Sequence, residues 1–370
     1  VVPSLAGGTI SGNGAEGLYM SGTGSIAVSG LNVLNNVSYG IYANQSFGLT
    51  TGISGSIVSN NGSYGIYGGY LSVSGNVVSG HTVAGIYGYG ASTVISGNVI
   101  DGNRDGIFAA DSITILNNRI YRQTDRGIRS SGNATISGNV IYSNLRGLDI
   151  SNSSTLTVSN NLIYDNDDYG VRLSHSGAGT LTFTQNTVHS GANSAILLVD
   201  GSNNTAITNN IIWVTGGNGI SVPPSAEAGF SSNFNLFYTT GSGTVGRWQN
   251  SDRVSLASWR AANFADNQSV QQNPQFVDAD GADNLLGYVS AANDGRDDDF
   301  HLQSPHGSFK GGSTAPAVHS VTGLPVALTG VWSNDAVFSP GIDRGAPASP
   351  FSNELAPNGG NEDIRRLALL

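Results

Sequence analysis

A repeat of 20 to 25 residues runs through the first two thirds of this sequence and restricts the folds open to it. One column of the repeat is a glycine followed by an aliphatic residue, at Gly40, Gly65, Gly85, Gly106, Gly127, Gly147, Gly170 and Gly219, with Ala195 filling the one gap. A second column is asparagine, at Asn76, Asn98, Asn118, Asn139, Asn161, Asn186 and Asn210. Self-similarity at this period indicates a solenoid, in which each repeat is one structural unit.

The residues between the two columns alternate apolar and polar, as in "ATISGNVIY" and "LTVSNNLIY". This alternation predicts short β-strands, and no stretch carries a helical period of useful length. Strands this short cannot pair antiparallel without a hairpin signal in every repeat, so parallel pairing between stacked coils, about 4.8 Å apart, is expected. The asparagines are then expected to form an inward ladder that bonds one coil to the next.

This pattern resembles the right-handed parallel β-helix family over about residues 9 to 250. The resemblance implies an all-β solenoid of about nine or ten coils within residues 1–250, followed by an irregular segment, residues 251–370, with capping of the helix as its suggested role. The family includes pectate and alginate lyases, polysaccharide epimerases and hydrolases, phage tailspikes and non-catalytic surface proteins. The resemblance therefore predicts the fold but leaves the reaction open.

The C-terminal segment carries its own motifs. The stretches Asn273 to Asp278, Asp299 to Gln303 and Ser339 to Asp343 are similar to "NPxFVD", "DFHLQ" and "SPxID" motifs that close β-helices in large bacterial surface proteins. This similarity predicts an extracellular or cell-surface location. The chain begins without methionine, which suggests a processed product or a piece of something longer.

Composition excludes several classes of function. Only 11% of the residues are charged, the net charge is −10 and the one lysine is Lys310, so the chain lacks the basic surface that nucleic acids need. No cysteine is present, which excludes thiol catalysis and disulfides. No apolar run is long enough to span a membrane, so no membrane insertion is expected.

The arginines are concentrated on a few neighbouring coils. Seven of the 14 lie between residues 104 and 172, and the residue after each Gly-aliphatic pair is expected to face outward. We predict that this face binds an acidic polysaccharide, with tyrosines stacking on sugars and arginines gripping carboxylates. The predicted binding residues are Tyr67, Tyr87, Phe108, Arg126, Arg129, Arg146, Tyr169 and Arg172. The structural alternative is a salt-bridge ladder with tyrosines as ordinary strand formers.

Catalysis, if present, is expected at the same patch. Elimination at a uronate needs a base and a charge that stabilises the intermediate, and hydrolysis needs two carboxylates about 5 to 9.5 Å apart. The candidate catalytic residues are Asp125, Arg129, Asp149, Asp168 and Arg172. Lys310 lies outside the coils, and the Tyr-Gly-x-Asp-Pro-His-like stretch typical of alginate epimerases of this fold is absent.

A calcium site is predicted outside the coils. "DADGAD" and "NDGRDDD" place alternate carboxylates around glycines, as oxygen ligands for a hard cation require. The candidate ligands are Asp278, Asp280, Asp283, Asp297 and Asp299, with Asp294 and Asp298 beside them. The alternative is a solvated acidic loop.

Two functions from different classes follow. The first is a non-catalytic, structural or adhesive module of an exported or surface protein, binding acidic glycans on its Tyr/Arg face. The second is a lyase, epimerase or hydrolase that acts on an acidic polysaccharide at the Arg/Asp patch. The missing lysine base and epimerase motif favour the first, and the clustered arginines keep the second open. Self-association through uncapped coils is a third, weaker expectation.

Overall fold

The computed structural model describes residues 3–313, 316–319, 321–327, 329–342 and 344–346. The chain forms two compact units, Val1–Asp149 with Ala315–Ala327 and Ile150–Thr314 with Leu328–Leu370. Both are built from parallel strands, and the solenoid has about 11 turns, slightly more than the sequence predicted. Asp343 of the third C-terminal motif and residues 347–370 lie outside the described residues.

The first unit contains three parallel sheets. Strands β1 to β21 are Ser4–Ala6, Thr9–Ser11, Leu18–Gly22, Ile26–Ser29, Asn32–Leu34, Ile41–Gln45, Thr51–Ser54, Ile57–Ser59, Tyr64–Gly69, Leu71–Ser74, Val77–Ser79, Ala84–Tyr89, Val94–Ser96, Val99–Asp101, Asp105–Ala109, Thr114–Leu116, Arg119–Tyr121, Arg126–Ser130, Thr135–Ser137, Val140–Tyr142 and Arg146–Asn152, the last of which ends beyond the unit. Every third strand belongs to the same sheet, so β3, β6, β9, β12, β15, β18 and β21 form the third sheet.

The second unit continues the same architecture. Strands β22 to β35 are Leu156–Ser159, Leu162–Tyr164, Tyr169–His175, Leu181–Thr184, Thr187–Ser190, Ile196–Leu198, Thr205–Thr208, Ile211–Val214, Asn218–Val222, Ser231–Asn233, Leu236–Thr239, Thr244–Trp248, Ser251–Arg253 and Val270–Gln271. A 3-10 helix spans Pro224–Ala226, and helix α1 spans Leu256–Asn263. Strand β35 still pairs in parallel with β32, whereas β34 folds back antiparallel onto β33.

The core is a stack of aliphatic side chains held in register. Ile66 pairs with Ile86, and Ile86 pairs with Ile107 on the next coil. The aliphatic residues of the Gly-aliphatic column, from Ile41 to Ile128, are fully buried. The glycine before each is needed for packing, because a Cβ at Gly85 would lie 2.8 Å from the carbonyl oxygen of Gly106.

The predicted asparagine ladder is present. Asn98 donates its backbone N–H and its side-chain amide to Oδ1 of Asn118, at 3.0 and 2.9 Å, and Asn118 repeats both bonds to Asn139. In the second unit Asn161, Asn186 and Asn210 follow the same rule. The ladder therefore pairs buried backbone groups at a corner where no sheet can pair them.

A second polar ladder was missed by the sequence analysis. It joins Asn36, Asn61, His81, Asn103, Gln123 and Asn144 by bonds from each backbone N–H to the next side chain, 2.7 to 3.2 Å long. The residue type changes along this column, which hid the repeat. Burial lowers the pKa of His81, which favours the neutral ring that this position needs.

Helix α1 packs on the last parallel coil. Trp259 is fully buried, and its indole N–H donates to Asp266 at 2.7 Å. A Cβ at Gly246 of β33 would lie 2.4 Å from the Trp259 ring, so the glycine admits the indole. Ser255 begins the helix with a capping box to Ser258.

Residues 276–313 of the C-terminal segment cover the side of the second sheet in the second unit. Strands β36 to β41 are Phe276–Asp278, Asp299–Leu302, Ser308–Lys310, Ala317–Val318, Pro325–Val326 and Val331–Ser333, of which β39 and β40 belong to the first unit. Phe300 lies 4.8 Å from Tyr164 between ring centroids, and Phe276 lies 6.2 Å from Trp213. This packing buries Tyr164 completely. Aromatic side chains on the outer side of the second sheet, Tyr164 and Trp213 among them, therefore form a second core with the C-terminal segment.

His189, in this second core, is expected to make the fold acid-sensitive. It contacts Trp213 at 4.3 Å, and burial lowers its pKa to about 4. Because its pKa is lower in the folded than in the unfolded chain, its contribution is complete above about pH 6.5 and is lost as the pH falls towards 4. The loss is about 3 kcal/mol, measurable as the pH dependence of urea unfolding.

Between pH 6.5 and 4 the variant His189→Gln is expected to lose about 3 kcal/mol less stability than the wild type, because it removes the contribution of His189 and keeps those of the other titrating groups. His306→Gln, which changes an exposed histidine of the same unit, is the matched control and should keep the wild-type slope. Equal slopes in all three proteins would show that His189 does not titrate as its burial implies.

Candidate active site

The outer face of the third sheet carries one side chain per coil in exact register. Tyr42 pairs with Tyr67, Tyr67 with Tyr87, Tyr87 with Phe108 and Phe108 with Arg129. Each follows a buried aliphatic residue and is itself half-buried, so it faces away from the core. The outward orientation that the sequence predicted for these five positions is confirmed.

The aromatic residues of this column form a continuous aromatic ladder, defined as Tyr19, Tyr42, Tyr67, Tyr87 and Phe108. Tyr67 and Tyr87 stack with centroids 4.8 Å apart and planes 14° apart. Phe108 meets Tyr87 edge-on at 4.9 Å. Burial, followed by the neighbouring tyrosines, raises the pKa of Tyr67 to about 12, so its hydroxyl stays protonated at neutral pH.

An arginine–aspartate cluster lies beside the end of the ladder and consists of Asp105, Asp125, Arg126, Arg146 and Asp149. Nε of Arg126 donates to Asp149 at 2.9 Å, and its Nη1 donates to Asp125 at 2.8 Å and lies 3.5 Å from Asp105. Arg146 donates to the other oxygen of Asp125 at 2.8 Å. One guanidinium thus contacts three carboxylates, and the arginines and aspartates largely neutralise each other.

Asp105 was not among the predicted catalytic residues, although its environment is unusual. It is 4% exposed, and burial raises its pKa while Arg126 partly offsets the rise. Because Asp105 and Asp149 both contact Arg126, their carboxylate oxygens lie no more than about 9 Å apart, which does not exceed the largest separation used by paired acid–base carboxylates. The sequence feature that could have pointed to Asp105 is its position directly before a Gly-Ile pair, one coil away from Arg126.

Arg129 differs from the clustered arginines. Its guanidinium carbon lies 4.4 Å from the centre of the Phe108 ring, a cation–π contact. Within the part of the chain that the structure describes, its guanidinium has no carboxylate partner within salt-bridge distance. Asp149 holds the equivalent place in the next repeat, since β21 neighbours β18. A half-exposed cation therefore adjoins the aromatic ladder on one side and a carboxylate on the other.

The other predicted site residues lie in the second unit. Arg172 is half-buried on β24, in register with Leu197. Asp168 precedes that strand and is half-buried. Tyr169 is only 7% exposed, so its ring face is not available to stack on a sugar.

The predicted calcium ligands are engaged in local contacts. Burial, followed by the neighbouring Asp280, raises the pKa of Asp278. Asp297 accepts from the Asp283 backbone N–H at 3.3 Å, and Asp299 lies 2.6 Å from His301. The neighbouring Asp298 is fully buried, which raises its pKa to about 8 and favours the protonated form.

This arrangement does not gather ligands around one point. Among the described residues, no group of three or more histidine or acidic side chains could hold a metal ion. Calcium at this loop therefore stays a prediction from the sequence, and no reaction step is assigned to a metal here.

A sequence model described as "Right handed beta helix region" matches residues 67–212, which contain the end of the ladder and the whole cluster. The solenoid is a right-handed parallel β-helix. No curated protein matches the sequence. In the described residues no helix is long and apolar enough to cross a membrane.

Two solved structures share the β-helix fold at low sequence identity. Pectate lyase Pel9A is 14% identical with a TM-score of 0.54, covering 99% of this chain and 88% of that one. The A-module of the Azotobacter vinelandii mannuronan C-5 epimerase AlgE6 is 17% identical with a TM-score of 0.50, covering 74% and 91%. At these identities the likeness shows the fold alone.

Proposed function

We propose that the protein is an enzyme that acts on an acidic polysaccharide at the outer face of the third sheet. The observation that carries the proposal is Arg129, a half-exposed cation placed between an aromatic ladder and a set of carboxylates. The names of the two structural neighbours, a pectate lyase and a mannuronan epimerase, support an enzyme over the non-catalytic module. Such a substrate would place the protein outside the cell or at its surface.

The favoured reaction starts with removal of the proton next to a uronate carboxylate. Arg129 would bind that carboxylate and stabilise the enolate-like intermediate, and Asp149, one coil away, would accept the proton. Asp105, whose pKa burial raises, would act as the acid. Donation to the glycosidic oxygen then gives elimination, and donation to the opposite face of the carbon gives epimerisation.

Arg126 would act as a positioning residue. Its guanidinium contacts Asp105, Asp125 and Asp149 at once and so fixes the distance between the proposed acid and the proposed base. Burial lowers its pKa, but the three aspartates outweigh that effect and raise it, so it stays charged throughout.

Hydrolysis is the second candidate, and the spacing of Asp105 and Asp149 favours it. Two carboxylates within about 9 Å can serve as acid and base, or as acid and nucleophile, at a glycosidic bond. The products separate the candidates. Elimination yields unsaturated uronates that absorb in the ultraviolet, hydrolysis yields reducing ends without that absorbance, and epimerisation yields neither.

Arg129→Gln is expected to weaken binding of an acidic glycan about tenfold or more and to lower turnover, because it removes the partner of the substrate carboxylate. Isothermal titration with polygalacturonate and polymannuronate oligomers measures the first effect, and the three product assays measure the second. The control is Arg247→Gln, an exposed arginine paired with Asp252 in the second unit, which should change neither. Wild-type affinity and turnover in Arg129→Gln would remove the observation that carries the proposal.

A further inference from the structure

The coils under the aromatic ladder carry almost no charge. Residues 17–100 contain no aspartate, glutamate, lysine or arginine, and the first charged residue after Glu16 is Asp101. In a chain of net charge −10 this is a long neutral stretch. It includes four of the five ladder rings, from Tyr19 to Tyr87, and the adjoining stacked pair Tyr39 and Tyr64 at 5.5 Å.

Neutral aromatic rings suit an uncharged ligand. The ring faces of the ladder are turned largely towards neighbouring rings, so a ligand meets ring edges and hydroxyls. These groups can contact the apolar surface and the hydroxyls of a sugar, but they cannot compensate a carboxylate that leaves water. Successive rungs are about 4.8 Å apart, a spacing comparable to one sugar unit of an extended chain. A glycan lying along the ladder would therefore bring about one sugar to each ring.

The arginines near this face lie at the end of the ladder. Arg104, Arg126 and Arg146 each lie within salt-bridge distance of an aspartate. Arg129 instead stands on the ladder column, over the Phe108 ring. In the first unit the column thus offers several neutral positions followed by one cationic position. A polyuronate with a carboxylate on every sugar would leave most of its charges over tyrosine.

We propose that the substrate is a sparsely charged glycan, a polyuronate in which most carboxylates are esterified and a free one is bound at Arg129. This inference rests on the proposed function and names its substrate class. Tyr19 to Tyr87 hold the uncharged, esterified sugars, and Arg129 selects the free acid beside Asp149. The enzyme then reacts with a free uronate that follows several esterified sugars in the glycan chain.

The test compares three forms of one polymer of equal chain length: polygalacturonate, its partly methyl-esterified form and its fully esterified form. The partly esterified form is expected to bind about tenfold more tightly than polygalacturonate. Tyr67→Ala should lower affinity for both esterified forms about tenfold and affect polygalacturonate little. Arg129→Gln should weaken binding of the partly esterified form and leave the fully esterified form unchanged.

Two variants control for damage to the surface. Tyr67→Phe keeps the ring and loses only the hydroxyl, so it should retain most of the affinity that Tyr67→Ala loses. Phe47→Ala removes another exposed aromatic side chain of the first unit, 82% exposed and in contact with Tyr70 instead of the ladder, and should also bind normally.

The outcomes separate this inference from the proposed function. Polygalacturonate that binds as tightly as the partly esterified form, and is converted, would overturn the sparse-charge substrate but leave the enzyme intact. Failure to bind or convert all three forms, and polymannuronate too, would overturn both. Loss of binding in Phe47→Ala equal to that in Tyr67→Ala would show that the ladder is not the binding surface.

Discussion

Asp105→Asn is expected to lower kcat on an acidic glycan by about 10²- to 10⁴-fold, the usual contribution of a general acid. The asparagine keeps an oxygen that accepts from the Arg126 backbone N–H, now 3.3 Å away, but it has no proton of suitable acidity to donate. Substrate affinity should change little, since Arg129 and the ladder make the proposed binding contacts. Initial rates at saturating substrate, together with KM, measure the effect.

Asp101→Asn is the matched control for this experiment. Asp101 is also an aspartate paired with an arginine, Arg122, but it lies on β14 of the second sheet, away from the ladder column. Its variant should retain wild-type kcat. If Asp105→Asn also keeps kcat within about threefold, Asp105 is a structural partner of Arg126 and the proposed acid is wrong.

Asn118→Ala is expected to destabilise the first unit by about 3 to 5 kcal/mol, the largest effect on stability that we anticipate from a single polar side chain. Its amide donates to Ile95, Leu116 and Asn139, and its Oδ1 accepts two bonds from Asn98. Alanine removes these bonds and leaves the buried backbone N–H of Asn98 without its acceptor, whereas Oδ1 of Asn139 keeps the bond from the backbone N–H of residue 118. Urea unfolding followed by circular dichroism measures the change.

An exposed asparagine provides the comparison. Asn44 lies on β6 with its side chain in solvent, so Asn44→Ala should change the free energy of unfolding by less than about 0.5 kcal/mol. Similar destabilisation by the two variants would mean that the ladder contributes no more than an ordinary surface residue.

Much of the fold could be predicted from the sequence, because some residue types, such as glycine and asparagine, fit only one position in a coil. Glycine before an aliphatic residue marks a close approach of coils, since a Cβ at Gly65 would lie 2.6 Å from the carbonyl oxygen of Gly85. The uniform asparagine column likewise predicts its own ladder. The outward column from Tyr42 to Arg129 follows from the period of two in a strand.

The second ladder and the course of the C-terminal segment could not be predicted in this way. The ladder mixes asparagine, histidine and glutamine, because any side chain that can accept a bond from the next backbone N–H fits there. The segment packs through Phe276 and Phe300, whose partners Trp213 and Tyr164 are far away in sequence. No local pattern links them.

The candidate site, like the fold, was predictable from the sequence only in part. Alternation placed Arg129 and Phe108 on one column, but it could not show which arginines are neutralised by aspartates. That depends on side-chain reach between coils, as from Arg126 to Asp149. The burial that raises the pKa of Asp105 is equally a property of the packed coils.

The central claim is tested most directly by proton nuclear magnetic resonance of partly esterified polygalacturonate and of polymannuronate incubated with the protein in D2O. We expect deuterium at C5 of the uronates or unsaturated chain ends to accumulate with the wild type and to be absent with Asp105→Asn. New reducing ends without either signal would indicate hydrolysis at the same carboxylates. Polymers that stay chemically unchanged while they bind the protein would contradict the enzyme and leave a glycan-binding module.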